Sequence, residues 1–165
     1  MRQLLIILIA LGFQFVNAQS PTITTVILVR HAEKGTDDLK DPELSEVGKQ
    51  RAQRLAQVLQ ETHVDAIYST PYKRTRNTVT PLAEAKGLSI ATYDPSKKEE
   101  IDQLLQKFAG GTIVVAGHSN TVPGFANYLT GKTEFQNFDD SDYDNLLVVT
   151  VVQKGKLAKT VWLTY

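Results

Sequence analysis

The 165-residue chain contains no cysteine. That absence excludes disulfide frameworks, zinc or iron–sulfur sites built on thiolates, and thiol catalysis. An excess of charge is missing too: 18 Lys+Arg stand against 18 Asp+Glu, a formal net charge of +0. A dedicated nucleic-acid binder normally shows a basic excess or stripe, so no nucleic-acid partner is expected. The charges are mixed along the chain, leaving neither an acidic nor a basic tail. No internal repeat and no low-complexity stretch is visible, and 42% hydrophobic content argues against disorder. The length suits one domain whose own core makes a metal or disulfide staple unnecessary.

Long apolar runs are scarce as well. The one candidate is Leu4 to Val16, broken only by Gln14 and preceded by Met1-Arg2-Gln3 with its single positive charge. Val16-Asn17-Ala18 then has the small-residue ending of a signal-peptidase site. About 13 apolar residues fall short of the roughly 20 that span a bilayer. Residues 1–18 are therefore expected to be a signal peptide, and residues 19–165 a single domain. The chain would be exported to a periplasmic or extracellular location, with no stable membrane insertion after cleavage. The alternative is an uncleaved N-terminal anchor. No cysteine follows the run to carry a lipid, and no other segment is long and apolar enough to cross a membrane.

The remainder alternates strand and helix patterns. Thr25 to Val29 is a short β-branched apolar run of the kind found in buried strands. Ser45 opens a helix in which Ala52, Leu55, Ala56 and Leu59 fall at i, i+3, i+4, i+7. Asp65 to Ser69 reads as a second strand. Tyr72 to Lys86 reads as a helix stopped by Gly87, with Pro81 placed to kink or split it. Ser89 to Tyr93 is a weaker third strand. Ser96 is expected to cap a helix with Ile101, Leu104, Leu105 and Phe108 on one face. Thr112 to Ala116 is a fourth, strongly apolar strand, and Thr121 opens a helix with Val122, Phe125, Ala126 and Leu129 at helical spacing. Asn145 to Val152 and Leu157 to Tyr165 read as a closing hairpin around Lys154-Gly155. This alternation predicts an α/β fold, a three-layer α/β/α sandwich with a mainly parallel sheet and a C-terminal antiparallel hairpin. Two polar segments, Lys34 to Pro42 and Glu134 to Asp144, read as loops, the first over the sheet edge.

Ligands of open α/β sheets bind beyond the carboxyl ends of the strands. The first strand ends in Arg30-His31-Ala32-Glu33, the second in Ser69-Thr70-Pro71 with Arg74 in the next helix's first turn. The third ends in Asp94 and the fourth in Gly117-His118-Ser119-Asn120. Taken singly, each residue has a plain structural use. Arg30 could pair with Glu33, His31 could be an ordinary half-buried histidine, Arg74 could be one charge on a solvated helix face, and His118 could bond backbone. His63 sits in a polar connection and is assigned no role. Jointly, two arginines and two histidines on one rim point to an anion site. Arginine's planar fork of donors suits phosphate oxygens. The helix opening near Thr121 would add free N–H groups around Ser119. A neutral imidazole can take a phosphoryl group, cationic surroundings keep it neutral, and arginines can neutralise the charge with no separate metal.

Three segments also carry a family resemblance. Val26-Ile27-Leu28-Val29-Arg30-His31-Ala32-Glu33, Tyr68-Ser69-Thr70-Pro71-Tyr72-Lys73-Arg74-Thr75-Arg76-Asn77-Thr78 and Gly117-His118-Ser119 resemble, in order, the motifs of the histidine phosphatase (phosphoglycerate mutase-like) superfamily. Leu44-Ser45-x-x-Gly48 resembles its first helix start. The absence of a long helical insert after the second motif resembles the compact branch that includes SixA-type phosphohistidine phosphatases. The resemblance implies that His31 is the phosphorylated nucleophile, that Arg30, Arg74 and His118 bind phosphoryl oxygens, and that water releases the phosphate. The expected reaction is metal-independent hydrolysis of a phosphomonoester or phosphoramidate, without a cofactor. The expected partner is a phosphorylated small molecule or a phosphohistidine.

The carboxylic acid that many members use on the leaving group has no motif match here. Glu33, Asp94, Glu99 and Glu100 all remain open. Three other readings compete. A phosphate-binding module would use the same residues without turnover. A serine hydrolase would use Ser119 in an elbow, although Thr121 stands where that turn wants glycine. A metalloprotein would ligate through His31, His118 and a carboxylate, against repulsion from the arginines. Tyr128 and Tyr143 could line the site's entrance, although core or surface packing is the favoured reading of both.

Overall fold

The computed structural model describes residues 21–165, so the expected leader lies outside the described residues. Six strands and four helices alternate in chain order: β1 (Thr24–Arg30), α1 (Glu46–Val58), β2 (Ala66–Ser69), α2 (Lys73–Lys86), β3 (Ile90–Thr92), α3 (Lys98–Lys107), β4 (Thr112–Gly117), α4 (Thr121–Thr130), β5 (Asn145–Gln153) and β6 (Leu157–Thr164). They form one sheet in the order β3-β2-β4-β1-β5-β6. The first four of these strands run parallel, and β5 and β6 are antiparallel additions on one side. The α/β architecture read from the sequence is the one observed. Among the described residues, no helix is long and apolar enough to cross a membrane.

The strands of the sheet's centre are apolar on both faces because helices cover both. Val26 and Leu28 of β1 pack into one core with Ile101 and Leu104 of α3 and Val122, Phe125 and Leu129 of α4. Ile27 and Val29, pointing the opposite way, pack into a second core with Leu55 of α1 and Val79 and Leu82 of α2. This period-two division follows from strand geometry. Each fully buried aliphatic side chain stabilises the fold by about 1.5–3 kcal/mol.

Helix boundaries follow local chemistry. The Ser45 hydroxyl accepts the Gly48 N–H at 3.1 Å and so caps α1. α2 continues as one helix through Pro81 and ends at Gly87, whose φ of 64° favours a residue without Cβ. The expected cap at Ser96 is not formed; Lys97 precedes α3 and gives no side-chain cap. The reason is that Asp94 Oδ1 accepts both the Ser96 hydroxyl, at 2.7 Å, and the Ser96 N–H, at 3.0 Å, which commits serine to the preceding turn. The Lys34–Pro42 segment is a loop tied down at two points. Lys34 bridges Leu44 and the Lys73 N–H donates to Asp41 at 2.9 Å, so the loop meets the start of α2, just beyond the carboxyl end of β2.

Gly48 explains the spacing after Ser45. A Cβ there would collide with the Glu33 carbonyl oxygen and lie 3.1 Å from the Glu33 carbonyl carbon and nitrogen. Helix propensity alone would make Gly48→Ala stabilising by about 1 kcal/mol. The clash is with backbone just beyond His31 and outweighs that gain, since overpacking costs about 1–3 kcal/mol. Gly48→Ala is expected to lower the urea midpoint, and a raised midpoint would show that α1 can move away.

Candidate active site

Parallel pairing of β1 with β4 sets the site. Arg30 is in register with Gly117, and the His31 N–H donates to the Gly117 carbonyl at 2.9 Å. The next residues, His31 and His118, therefore emerge side by side, with ring centroids 5.3 Å apart at 66°. β2 pairs on the other side of β4, with Ser69 opposite Ala116. It ends in buried Thr70, whose hydroxyl lies 3.0 Å from His118 Nε2. Gly117 permits the turn: a Cβ would come within 2.6 Å of the Thr121 hydroxyl, which accepts the His118 N–H at 2.8 Å. The Ser119 and Asn120 N–H groups have no partner among the described residues.

Arg30 is 2% exposed, an unusual state for a charged side chain. Backbone carbonyls of the Glu134–Asp144 loop hold it. Nη1 donates to Asp139 at 2.6 Å and Asp142 at 2.7 Å, and Nη2 donates to Asp140 at 3.1 Å. The Tyr143 ring lies 4.3 Å from the guanidinium. A guanidinium has five N–H donors. Three are thus engaged, and the buried Nε–H has no partner among the described residues. Arg74 shows the same feature, with a buried, unpartnered Nε. Its Nη1 makes long contacts to the Lys40 carbonyl, at 3.4 Å, and to Asp41 Oδ1, at 3.6 Å. The Tyr72 ring lies 4.5 Å away.

His31 has a defined tautomer. Its Nδ1 lies 2.8 Å from the Ala32 carbonyl, which can only accept, so Nδ1 carries the proton and Nε2 a lone pair. Burial pushes the His31 pKa down to about 4; the Ala32 bond opposes this, while His118, Arg30 and Arg74 add to it. Burial likewise lowers His118 to about 4, helped by Arg74 and Arg30. Both imidazoles are thus neutral near pH 7. His31 is only 5% exposed, flanked by Tyr143 at 6.0 Å between ring centroids, and Tyr72 stacks edge-on against His118 at 5.1 Å.

A cavity of about 670 Å³ opens on the His118 side. Thr70, Tyr72, Arg74 and His118 line it together with Asn120, Thr121, Asp94 and Glu100. Of the four open carboxylates, Glu33 is committed elsewhere: Arg51 grips it through Nε at 3.0 Å and Nη2 at 2.7 Å. Partial burial opposes its charge, but the Arg51 guanidinium holds the Glu33 carboxyl below its usual range. The Glu33–Arg30 pair that the sequence allowed is replaced by this one. Glu99 is exposed on α3. Glu100 accepts the Asp94 N–H at 2.8 Å, and Lys97 pairs with both carboxylates, at 3.5 Å and 3.4 Å.

The structure therefore brings Arg30, His31, Arg74 and His118 together, with Ser119 half-buried at the turn beside them. His63 is 86% exposed and pairs with Asp65, away from this group. Tyr143 stands at the site, whereas Tyr128 bonds Asp102 and Lys154 on another part of the surface. No histidine bonds the Ser119 hydroxyl among the described residues, so the pairing a serine hydrolase needs is not formed. No group of three or more His, Asp or Glu among them is arranged to hold a metal ion. Sequence reasoning assigned no role to Thr70 or Tyr72, and noted Thr78 only as the last residue of the second motif-like segment. Thr70 and Tyr72 flank the second strand's end, and that position was the only signal available.

Residues 26–95 match the family model of the histidine phosphatase superfamily (branch 1). A stretch of 75 residues is 48% identical to phosphoserine phosphatase 1 of Hydrogenobacter thermophilus, covering 42% of this chain and 36% of that protein. The chain thus spans about a third of the length of this curated relative. The protein histidine phosphatase SixA, solved with tungstate, superposes with a TM-score of 0.69 at 17% identity, covering 85% of this chain and 96% of that one. Phosphoglycerate mutase from Bacillus anthracis gives a TM-score of 0.67 at 14% identity, with coverages of 87% and 93%. Residues 26–95 thus resemble the histidine phosphatase superfamily, and the fold of the chain is the one shared by SixA and the phosphoglycerate mutase.

The pKa depressions make a prediction. In an NMR titration His31 and His118 should protonate as an interacting pair with midpoints near 4, well below the ordinary 6.5. Between those values the unfolded chain binds protons that the folded chain refuses. Stability should therefore be flat above pH 6.5 from this source and fall as pH drops toward 4. Replacing both rings by Asn should flatten that slope. Midpoints of 6 or more would contradict the electrostatic account.

Proposed function

We propose that this protein is a phosphatase that works through a phosphohistidine on His31 Nε2. The observation that carries the reading is the neutral imidazole of fixed tautomer placed among two arginines with unpartnered buried Nε–H groups. Buried donors without partners are rare, and a tetrahedral oxyanion supplies the acceptors they lack. The match of residues 26–95 to the histidine phosphatase superfamily model and the likeness to proteins named phosphatases support phosphatase activity.

In the first step the Nε2 lone pair attacks phosphorus and the bond to the leaving oxygen breaks. That oxygen keeps the bonding electrons and gains a proton. In the second, water attacks phosphorus, the N–P bond breaks with its electrons returning to Nε2, and inorganic phosphate leaves. Arg30, Arg74, His118 and the N–H groups at Ser119 would stabilise the charge on the equatorial oxygens. The wall carboxylates Asp94 and Glu100 are the groups placed to serve a leaving group; a phosphoramidate needs such help least. A cavity of about 670 Å³ exceeds what a phosphoryl group alone fills and favours an organic phosphomonoester with a body of its own.

The same proposal holds that residues 19–165 act after export and loss of residues 1–18; protein recovered from the producing cells should then begin near Gln19. Incubation with labelled p-nitrophenyl phosphate and an acid quench tests the chemistry. Acid-labile, base-stable label on His31 is expected, and His31→Ala should lose about 10⁴-fold or more in kcat. Tight phosphate binding with no turnover and no label would instead establish the binding-module reading.

A further inference from the structure

Thr78 lies on α2, one turn after Arg74, and is fully buried. Its hydroxyl donates to the Arg74 carbonyl at 2.8 Å, a common helix-internal bond for threonine. Thr80 makes the same type of bond to Arg76 at 3.0 Å and does nothing more. Thr78 differs because its oxygen also accepts the Ala32 N–H at 2.8 Å, across 46 residues of sequence. Ala32 is the residue whose carbonyl accepts the His31 Nδ1–H. One hydroxyl therefore ties the backbone of Arg74 to the backbone that fixes the imidazole.

We propose that Thr78 is a positioning residue for the His31 nucleophile. It holds Ala32 so that its carbonyl selects the Nδ1–H tautomer, and it locks the α2 turn bearing Arg74 to that same residue. The hydroxyl has a single proton, used on Arg74, and its lone pairs are left for Ala32. Ala32 is itself fully buried, so its N–H has no water to turn to. Without the Thr78 oxygen the Ala32 N–H is buried and unpaired, and the backbone shift that relieves this cost moves the adjoining Ala32 carbonyl, the acceptor of the Nδ1 contact. Tautomer choice at a functional histidine is commonly set by the partner of the second nitrogen. The proposal rests on the reading of His31 as nucleophile.

Three variants test it, with p-nitrophenyl phosphate as substrate. Thr78→Val keeps the shape and removes both bonds; Thr78→Ser keeps both bonds; His31→Ala is the control. Thr78→Val is expected to lower kcat about 10- to 100-fold, as small misplacements do, with KM changed less than threefold. ¹⁵N spectra should show the His31 Nδ1–H form giving way to a mixture, and Thr78→Ser should restore both kcat and the tautomer. A merely structural role would lower the unfolding midpoint and leave kcat per folded molecule and the His31 signals unchanged, and that result overturns the proposal. So does a Thr78→Ser protein as impaired as Thr78→Val. If Thr78→Val does not fold, Thr78→Ala compared with Thr78→Ser gives the same contrast. Should His31→Ala retain wild-type turnover, the nucleophile reading falls; should it be inactive while Thr78→Val keeps full kcat and an unchanged tautomer, only the positioning role falls.

Discussion

A buried guanidinium governs the arrangement around it. Arg30 closes β1 in the middle of the sheet with 2% of its surface in contact with solvent. A cation so placed costs several kcal/mol unless its donors are met. Its nearest carboxylate, Asp140, is 3.7 Å away and almost wholly exposed, so charge pairing does little of this. Three backbone carbonyls do it instead. The loop before β5 is consequently built around the arginine, and Tyr143 is carried to His31 by that wrapping.

The carbonyls satisfy one end of the guanidinium and leave its Nε–H open. Arg74, on the other side, is likewise only loosely engaged. Positive charge is then concentrated beside two imidazoles that burial has already made reluctant to protonate. Such a place prefers an added anion over an added proton. Glu33, two residues after His31, would weaken that preference if its charge faced the rings. Arg51, itself bonded to the Tyr165 carbonyl, holds the carboxylate in a bidentate pair instead.

What was legible in the sequence had a one-dimensional signature. Val26 to Val29 and Thr112 to Ala116 announce central strands by composition, and the rule about strand ends then finds Arg30, His31 and His118 without further help. Arg74 came from its place in a first turn. The groups that hold these residues had no such signature. Carbonyls of residues 139, 140 and 142 can belong to any side chain, so composition is silent about what satisfies Arg30. Thr78 closes the second motif-like segment, yet the segment gives it no role, because its second bond runs to a residue 46 positions away. Ser96 misled for a related reason: a serine near a helix start serves whichever neighbour reaches it first, and Asp94 did.

The proposed chemistry also accounts for the asymmetry of the site. A nucleophile attacking in line needs phosphorus between itself and the leaving oxygen. His31 is buried beside the Arg30-bound loop, whereas the open volume lies past His118 and Arg74. A phosphoryl group held by the arginines would then have the lone pair of Nε2 on its closed side and its ester oxygen toward the cavity. On this proposal the loop around Arg30, which shields His31, would govern reactivity. Residues of the cavity wall govern which leaving groups fit. Asp94 and Glu100 share that wall with Tyr72 and with Pro95, and Lys97 already offsets part of their charge. A leaving group there meets an aromatic and partly anionic surface, so selectivity among phosphate esters would rest on the body of the substrate while the phosphoryl-binding residues stay indifferent to it.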